Sequence, residues 1–305
     1  MCDVTISTFE LFKLFPDEEA ARTYIEARRW PTGPVCPTCQ EAKRITTRKG
    51  GYYRCNPCKV DFTCRTGTIF ERSHVPLHKW LYAIYLLMTA RKGISSLQLA
   101  KEIGVTQKSA WFVLQRLREA CGNDLNALRG IVEIDETYIG GKETSKHSSK
   151  KLKAGRGAVG KVPVVGMRER GGRTKAIPVP RTDTGYLKTL VHNNVEEGSM
   201  IHTDEFASYR GLGGLFYRHE TINHGAGEYV RDGVTTNSVE SVFAVMKRGL
   251  HGVYHHASPK HLARYVNEFT FRLNDGDVKR HTMDRLASLV TAAIGPRITY
   301  KELIA

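Results

Sequence analysis

The alternation of apolar and polar positions divides the chain into a helical first part and a strand-containing second part. Phe9, Leu11, Leu14 and Phe15, followed after Pro16 by acidic Asp17-Glu18-Glu19 and then Ala20 to Trp30, predict one or two short helices. From Val75 to Gly122 the spacing is helical throughout. Leu77, Trp80, Leu81, Ile84, Tyr85 and Met88 mark one helix ended by Gly93, and Ser95 to Gly104 a short capped one. Thr106 then caps a longer helix, Gln107 to Cys121, carrying Val113, Leu114 and Leu117. At Ile131 the pattern changes to a short β-branched run to Gly141, a strand with Asp135 near its end. Val162 to Met167 and Thr174 to Val179 predict two strands joined as a hairpin by Arg170-Gly171-Gly172-Arg173. Asp183 and Thr184 cap a helix to Asn194, Ser199 to Phe206 is a strand ending in an acid, and Arg218 to Asn223 is a further strand.

The stretch Thr236 to Gly249 has two unlike faces at helical spacing. Val239, Val242, Phe243, Met246 and Leu250 form an apolar side that requires a core; Asn237, Glu240, Ala244 and Lys247 lie opposite. Ser258-Pro259 opens another amphipathic helix to about Asn274, and the tail beyond it, helical around Met283 to Ile294, reads as an appendage.

Composition adds a partner to this picture. Lys and Arg number 46 against 31 Asp and Glu in 305 residues, a formal charge of +15, which favours a polyanion, most simply nucleic acid. The longest apolar run, Trp80 to Met88, is too short to span a bilayer. The N-terminus lacks the basic start and apolar run of a signal peptide. The expected location is therefore cytoplasmic, at the nucleoid, with no membrane partner. No P-loop or GxGxxG pattern supports nucleotide hydrolysis.

Four of the seven cysteines form two knuckles, Cys36-Pro37-Thr38-Cys39 and Cys55-Asn56-Pro57-Cys58, with fifteen residues between them. This spacing predicts a four-thiolate zinc ribbon: zinc takes four soft ligands in a tetrahedron, and each tight turn supplies two. Such a Zn2+ is structural, with no open position. Arg44 to Arg54 between the knuckles predicts a basic β-hairpin turning at Gly50-Gly51, and Cys64 reads as a small core residue in preference to a spare ligand.

The helix, glycine turn and second helix around Gly104 have the shape of a helix-turn-helix, with Thr106, Gln107, Lys108 and Ser109 at the start of the recognition helix. A plain three-helix bundle is the bland reading; directly after a ribbon in a basic chain, DNA binding is favoured. Residues 142–161, rich in Lys, Ser, Gly and Arg, read as a basic loop, either a solvated insertion or an arm that contacts phosphate.

Three acids stand apart from this background: Asp135 and Asp204 at strand ends, and Glu240 on the amphipathic helix, with thirty-five residues between it and Asp204. Any one of them alone is more often a turn former or a surface charge. Hairpin strands followed by strand–helix alternation are the order of an RNase H-like domain, a mixed sheet with helices on its faces, in which strand ends and one helix can share a cleft.

The segments VEIDETYIGGK, IHTDEFASY and TNSVESVFAVMKRGLHGVYHHASPKHLARYVNEFTFRLN resemble DDE transposases of bacterial insertion sequences, in the ISXO-like group with an N-terminal zinc ribbon. The resemblance runs from Cys36 to Asn274. It implies an α+β multidomain chain: N-terminal helices and zinc ribbon over 1–72, a helix-turn-helix domain over 73–127, an RNase H-like mixed-sheet catalytic domain over 128–275, and a helical tail over 276–305. It implies Asp135, Asp204 and Glu240 as catalytic acids, with Lys247 as the basic residue that follows. Some members of the group carry asparagine as the third residue, and Asn237 lies one turn before Glu240 on the same face. Glu240 is preferred, because a charged oxygen suits a hard cation better than an amide.

Two Mg2+ ions, or Mn2+ in their place, can activate the oxygen attacking a phosphodiester and neutralise the leaving one, which explains the need for acids. Lys247 is expected to set a point charge against phosphate. His202 lies on the Asp204 face of its strand and could support the site; His255 and His256 are left unassigned. The expected function is an insertion-sequence transposase that binds terminal inverted repeats and hydrolyses and joins strands. Its partners are double-stranded transposon ends and target, and it acts as a homodimer or larger assembly when synapsing two ends. The alternative is a catalytically inactive DNA-binding regulator derived from such an enzyme; a structure-selective nuclease is a weaker third reading.

Overall fold

A computed structural model describes residues 5–122, 126–141, 145–152, 158–214, 217–295 and 298–304. The chain divides into two compact units, Met1–Asn123 with Asp275–Ala305, and Asp124–Asn274.

The first unit begins with α1 (Thr8–Leu14), capped by the Ser7 hydroxyl, and α2 (Glu18–Arg29), capped by Asp17. A three-stranded antiparallel sheet follows: β1 (Ile45–Arg48), β2 (Tyr52–Cys55) and β3 (Val60–Phe62). The hairpin between β1 and β2 turns where the sequence places its paired glycines, with Gly50 at φ 71° and Gly51 at φ 76°, a region that other residues enter only with strain. Trp30 packs edge-on against Tyr53 and Phe62, supplying apolar contact to a sheet with little core of its own. Cys64 is buried, and burial pushes its thiol up to about 12, as suits a core residue.

Then come α3 (Leu77–Thr89), α4 (Ser96–Ile103) and α5 (Gln107–Ala120). Ser95 Oγ accepts the Gln98 N–H at the start of α4, and Gly104 ends that helix in the left-handed region at φ 63°. Thr106 Oγ1 accepts the Ser109 N–H at the start of α5. The tail read as an appendage is integral to this unit. In α9 (Thr282–Ala292), Leu286, Leu289 and Val290 are fully buried, and α9 packs on α3, α2 and α5. A short α10 (Tyr300–Ile304) closes the chain, with the Tyr300 ring edge-on to Phe112.

The second unit is built on a five-stranded sheet. Its strands are β4 (Ile131–Ile139), β5 (Val162–Glu169), β6 (Thr174–Pro178), β7 (Met200–Asp204) and β8 (Arg218–Ile222), in the order β6-β5-β4-β7-β8. β5 and β6 are antiparallel to their neighbours, whereas β7 runs parallel to β4, and β8 to β7. This is the mixed sheet expected of an RNase H-like domain. Asp183 caps α6 (Thr184–Asn194), which covers one face through Leu187 and Val191, packed with Val132, Ile134, Val165, Met167 and Ile201. The other face carries α7 (Asn237–Gly249) and α8 (Pro259–Leu273), whose Val239, Phe243, Met246, Leu262, Val266 and Phe269 close over Val164 and Ala176. Burial of each such side chain contributes roughly 1.5–3 kcal/mol. Asn274 fastens the end of α8 to β6 with two 2.8 Å bonds, accepting the Thr174 N–H and donating to its carbonyl.

Asp135 was expected near the end of its strand and lies at the middle of β4. The reason is that the two neighbours of β4 stop at different points: β5 pairs with it as far as Ile139, while β7 pairs only as far as Glu133. Of the basic loop over 142–161, residues 142–144 and 153–157 lie outside the described residues; Ser148–Lys150 form a single 3-10 turn.

Candidate active site and zinc site

The two knuckles bring Cys36, Cys39, Cys55 and Cys58 together with all four sulfurs within 4.8 Å of one another. Individual sulfur separations are 3.5 Å for Cys39–Cys55 and 3.6 Å for Cys36–Cys58 and Cys39–Cys58. Four thiols in so tight a group are the donor set of a closed structural zinc site. Among the described residues, no other group of His, Cys, Asp or Glu side chains is gathered closely enough to hold an ion as it stands.

The acids lie on the second unit. Parallel pairing of β4 and β7 sets Val132 beside Ile201 and Glu133 beside His202; continuing that register by two residues brings Asp135 level with Asp204. The two aspartates therefore follow two residues beyond the last β4–β7 pair, on the same face of the sheet. Asp135 lies on the α7 face of the sheet, directly opposite Gly166 of β5. A Cβ at Gly166 would stand 2.7 Å from the Phe243 ring and 2.8 Å from Val239, so the glycine allows α7 to approach the sheet closely. The apolar stripe of α7 turns inward there, which places Glu240 outward in the first turn, half exposed. Its Oε1 lies 3.4 Å from His224 Nε2 and accepts from Thr236 Oγ1 at 3.4 Å.

Asp135 feels the charge of both other acids. Burial pushes Asp135 up to about 7; the Glu136 N–H opposes this, and the charges of Glu136, Asp204 and Glu240 reinforce it. Asp135 Oδ1 accepts that Glu136 N–H at 2.7 Å, and Asp204 Oδ1 accepts from the Phe206 N–H at 3.0 Å. Asn237 is exposed at the first position of α7, its N–H bonded to Thr235 Oγ1. Lys247 lies two turns after Glu240 on the outward side, partly buried.

Further residues of this region were not singled out from the sequence. Glu136 points to the α6 face, where its Oε2 accepts from the Tyr209 hydroxyl at 2.6 Å, and burial raises both groups above their ordinary values. Glu133 is buried among hydrogen-bond donors, with Arg170 as its ion partner at 3.1 Å. The sequence signal for these is the strict alternation in VEIDE, which puts Glu133 and Asp135 on one face and Glu136 on the other. His202 is buried level with Glu133, its Nδ1 3.3 Å from Arg170 Nη2, and burial followed by the Arg170 charge lowers its affinity for a proton. His255 and His256 line an open cavity of about 340 Å3 with His251, Gly140 and Gly141, beyond the π-helical turn Leu250–Tyr254 that follows α7.

Comparison with known proteins agrees with the zinc ribbon and gives the family of the sheet unit. Residues 127–274 match the ISXO2-like transposase domain model and residues 16–60 the transposase zinc-ribbon domain model. The chain is 32% identical over 275 residues to the uncharacterized protein in transposable element ISH50 of Halobacterium salinarum, covering 85% of this chain and 92% of that one. Among solved structures, the Mos1 strand transfer complex aligns at 14% identity and a TM-score of 0.32, over 72% of this chain and 79% of that one. A simian T-cell lymphotropic virus intasome in complex with PP2A regulatory subunit B56 gamma aligns at 13% identity and a TM-score of 0.29, covering 62% of this chain and 65% of that one. With one family matched across the sheet unit, its zinc ribbon matched ahead of it, and a relative aligned along most of both chains, the chain belongs to the ISXO2-like transposases.

Proposed function

We propose that this transposase is a divalent-metal-dependent DDE enzyme that binds the double-stranded terminal inverted repeats of its element and hydrolyses and rejoins phosphodiesters with Asp135, Asp204 and Glu240. The observation that carries the reading is the position of Asp135, level with Asp204 on adjacent parallel strands and pushed up to about 7 by burial and by the charges of Glu136, Asp204 and Glu240. Hard oxygen donors with an excess of negative charge are the chemistry that Mg2+ takes, and two or three acids suffice where substrate phosphate supplies the remaining ligands. Mg2+, or Mn2+ in its place, would supply activation of the attacking oxygen and neutralisation of the leaving one.

Asp135 and Asp204 hold the sheet side of the site, and Glu240 closes it from α7. Glu240 is favoured over Asn237 as the third residue because its charge reaches Asp135. Lys247, two turns further along the same outward side, is placed to meet a strand of DNA running along α7. The basic hairpin at Arg44, Arg48 and Arg54, and the start of α5 at Gln107 and Lys108, are the DNA-recognition elements of the first unit, and +15 of net charge holds the polyanion. Synapsis of two ends calls for at least a dimer, and the substrate places the protein with the nucleoid in the cytoplasm.

The test is nicking of a DNA duplex carrying one transposon end, with and without Mg2+, by the parent and by Asp204→Asn. Loss of Mg2+-dependent nicking in the variant, with end binding retained, is expected. Equal Mg2+-dependent rates would remove the catalytic assignment. Binding without cleavage by either protein would indicate a DNA-binding regulator, and nicking without joining to a target would indicate a nuclease.

A further inference from the structure

Helix α7 carries Glu240 in its first turn, yet its own N-cap residue, Thr236, makes no side-chain cap hydrogen bond. The free N–H groups of a helix start need partners, commonly a side-chain oxygen just before the helix. Here the partner comes from another element. Glu133 of β4, only 1% exposed, accepts at Oε2 from the Ser238 N–H at 2.9 Å, the Ser238 hydroxyl at 2.5 Å and the Val239 N–H at 3.3 Å. Ser238 and Val239 are the second and third residues of α7, whose amides a cap normally takes. The other carboxylate oxygen, Oε1, accepts from Arg170 Nη2 at 3.1 Å. Through Nη1 that arginine also donates to the Gly233 carbonyl at 2.9 Å, in the loop leading into α7.

We propose that Glu133 is a positioning residue: from β4 it caps α7 and thereby fixes Glu240 against Asp135. The inference rests on the active-site reading above and deepens it. Glu133 and Asp135 are alternate residues of one strand and share a face, so the strand that presents the first acid also anchors the helix that presents the third. A negative charge at a helix N-terminus is favourable in itself, and burial beside Arg170 fixes it in one orientation. Arg170 holds the carboxylate and the approach to the helix together, which restrains α7 at the end nearest the acids. Glu133 does not reach substrate; its effect passes through Glu240.

The experiment is titration of the zinc-loaded full-length chain with Mn2+, followed by the electron paramagnetic resonance of the free ion. It compares the parent with Glu133→Gln, Asp204→Asn and the double variant Glu133→Gln/Arg170→Gln. The double variant removes both members of the ion pair and serves if the single one does not fold. Glu133→Gln is expected to bind Mn2+ about 10–100-fold more weakly, as partners of metal ligands generally do when altered. Its melting transition should be lowered but retained, as expected for losing one partner of a buried ion pair, and its affinity for a transposon-end duplex should stay close to that of the parent. Asp204→Asn should lose Mn2+ binding as well. Loss in Asp204→Asn alone would overturn the positioning role and leave the active-site reading standing. Unchanged binding in both would overturn that reading, and this inference with it. Weak Mn2+ binding accompanied in both Glu133 variants by loss of end binding and of the melting transition would make Glu133 a folding residue only.

Discussion

Asp135 holds its proton far more tightly than an ordinary aspartate. Its carboxyl moves from 3.8 to about 7, first because it is buried and then because Glu136, Asp204 and Glu240 crowd it with like charge, against the opposing Glu136 N–H. A carboxyl raised in the folded state makes a contribution to stability that is complete below about pH 4 and is lost as pH rises through about 7. Magnesium-free protein should therefore be less stable at pH 8 than at pH 5 on account of this residue. Asp135→Asn should melt higher than the parent at pH 8, by an expected ~1–2 kcal/mol after allowance for solvent near the site. The gain should shrink as pH falls from 7 towards 4, and thermal melts across that range are the measurement. A gain independent of pH would mean that like-charge crowding is not its source. The same titration acts on metal affinity in the opposite direction, since a cation binds the ionised carboxylate and a metal at Asp135 should bind better as pH rises through 7. The sequence drew attention to Asp135 through its order with Asp204 and Glu240 and through the family resemblance, but its environment was not legible there. Glu136 and Tyr209 meet only because β4 and the 3-10 turn Ala207–Tyr209 fold together, seventy-three residues apart.

At the scale of elements, α7 was the most legible feature, while β4 was legible as a strand but not in how far each neighbour pairs with it. Val239, Val242, Phe243 and Met246 recur at helical spacing, and all four are buried. The face of a helix is a local property, readable from periodicity. The extent of a strand depends on its neighbours, and so Asp135 was placed near an end although β5 carries the pairing on to Ile139. The tail was likewise legible as a helix but not as part of the first unit, since an apolar stripe predicts burial without naming a partner. Leu286, Leu289 and Val290 fill that role, and truncation after Asn274 should destabilise the first unit by several kcal/mol. The tight junction between α7 and the sheet gives a sharper prediction. Gly166→Ala forces a methyl against Phe243 and Val239, and overpacking of this kind costs about 1–3 kcal/mol. Phe243→Leu makes room. The double variant should be less destabilised than the sum of the single ones in urea unfolding, whereas strict additivity would show that the two positions do not press on each other.

At the scale of the molecule, the two units depend on different chemistry. The sheet unit has apolar cores on both faces, while the ribbon, with three short strands and a few aromatic rings, depends on what its four thiols bind. The zinc ribbon was legible because its ligands lie in two close pairs; the acids of the sheet unit were gathered from three distant segments, and there the family resemblance carried what spacing could not. All three tryptophans, Trp30, Trp80 and Trp111, belong to the first unit, so indole fluorescence reports on that unit alone. Trp30 is 8% exposed, with Tyr53 and Phe62 edge-on at 5.3 Å and 5.7 Å. Removal of zinc with a chelator, or Cys55→Ser, should release β2 and β3 from the knuckles and expose that ring. The expected results are a red shift in emission, and affinity for a transposon-end duplex reduced at least tenfold as the Arg44–Arg54 hairpin loses its frame. The melting transition of the sheet unit, followed by far-ultraviolet circular dichroism, should persist because its two cores are made of its own residues. Unchanged affinity after zinc removal would exclude the ribbon from end recognition, and simultaneous loss of both transitions would show that the two units do not fold independently.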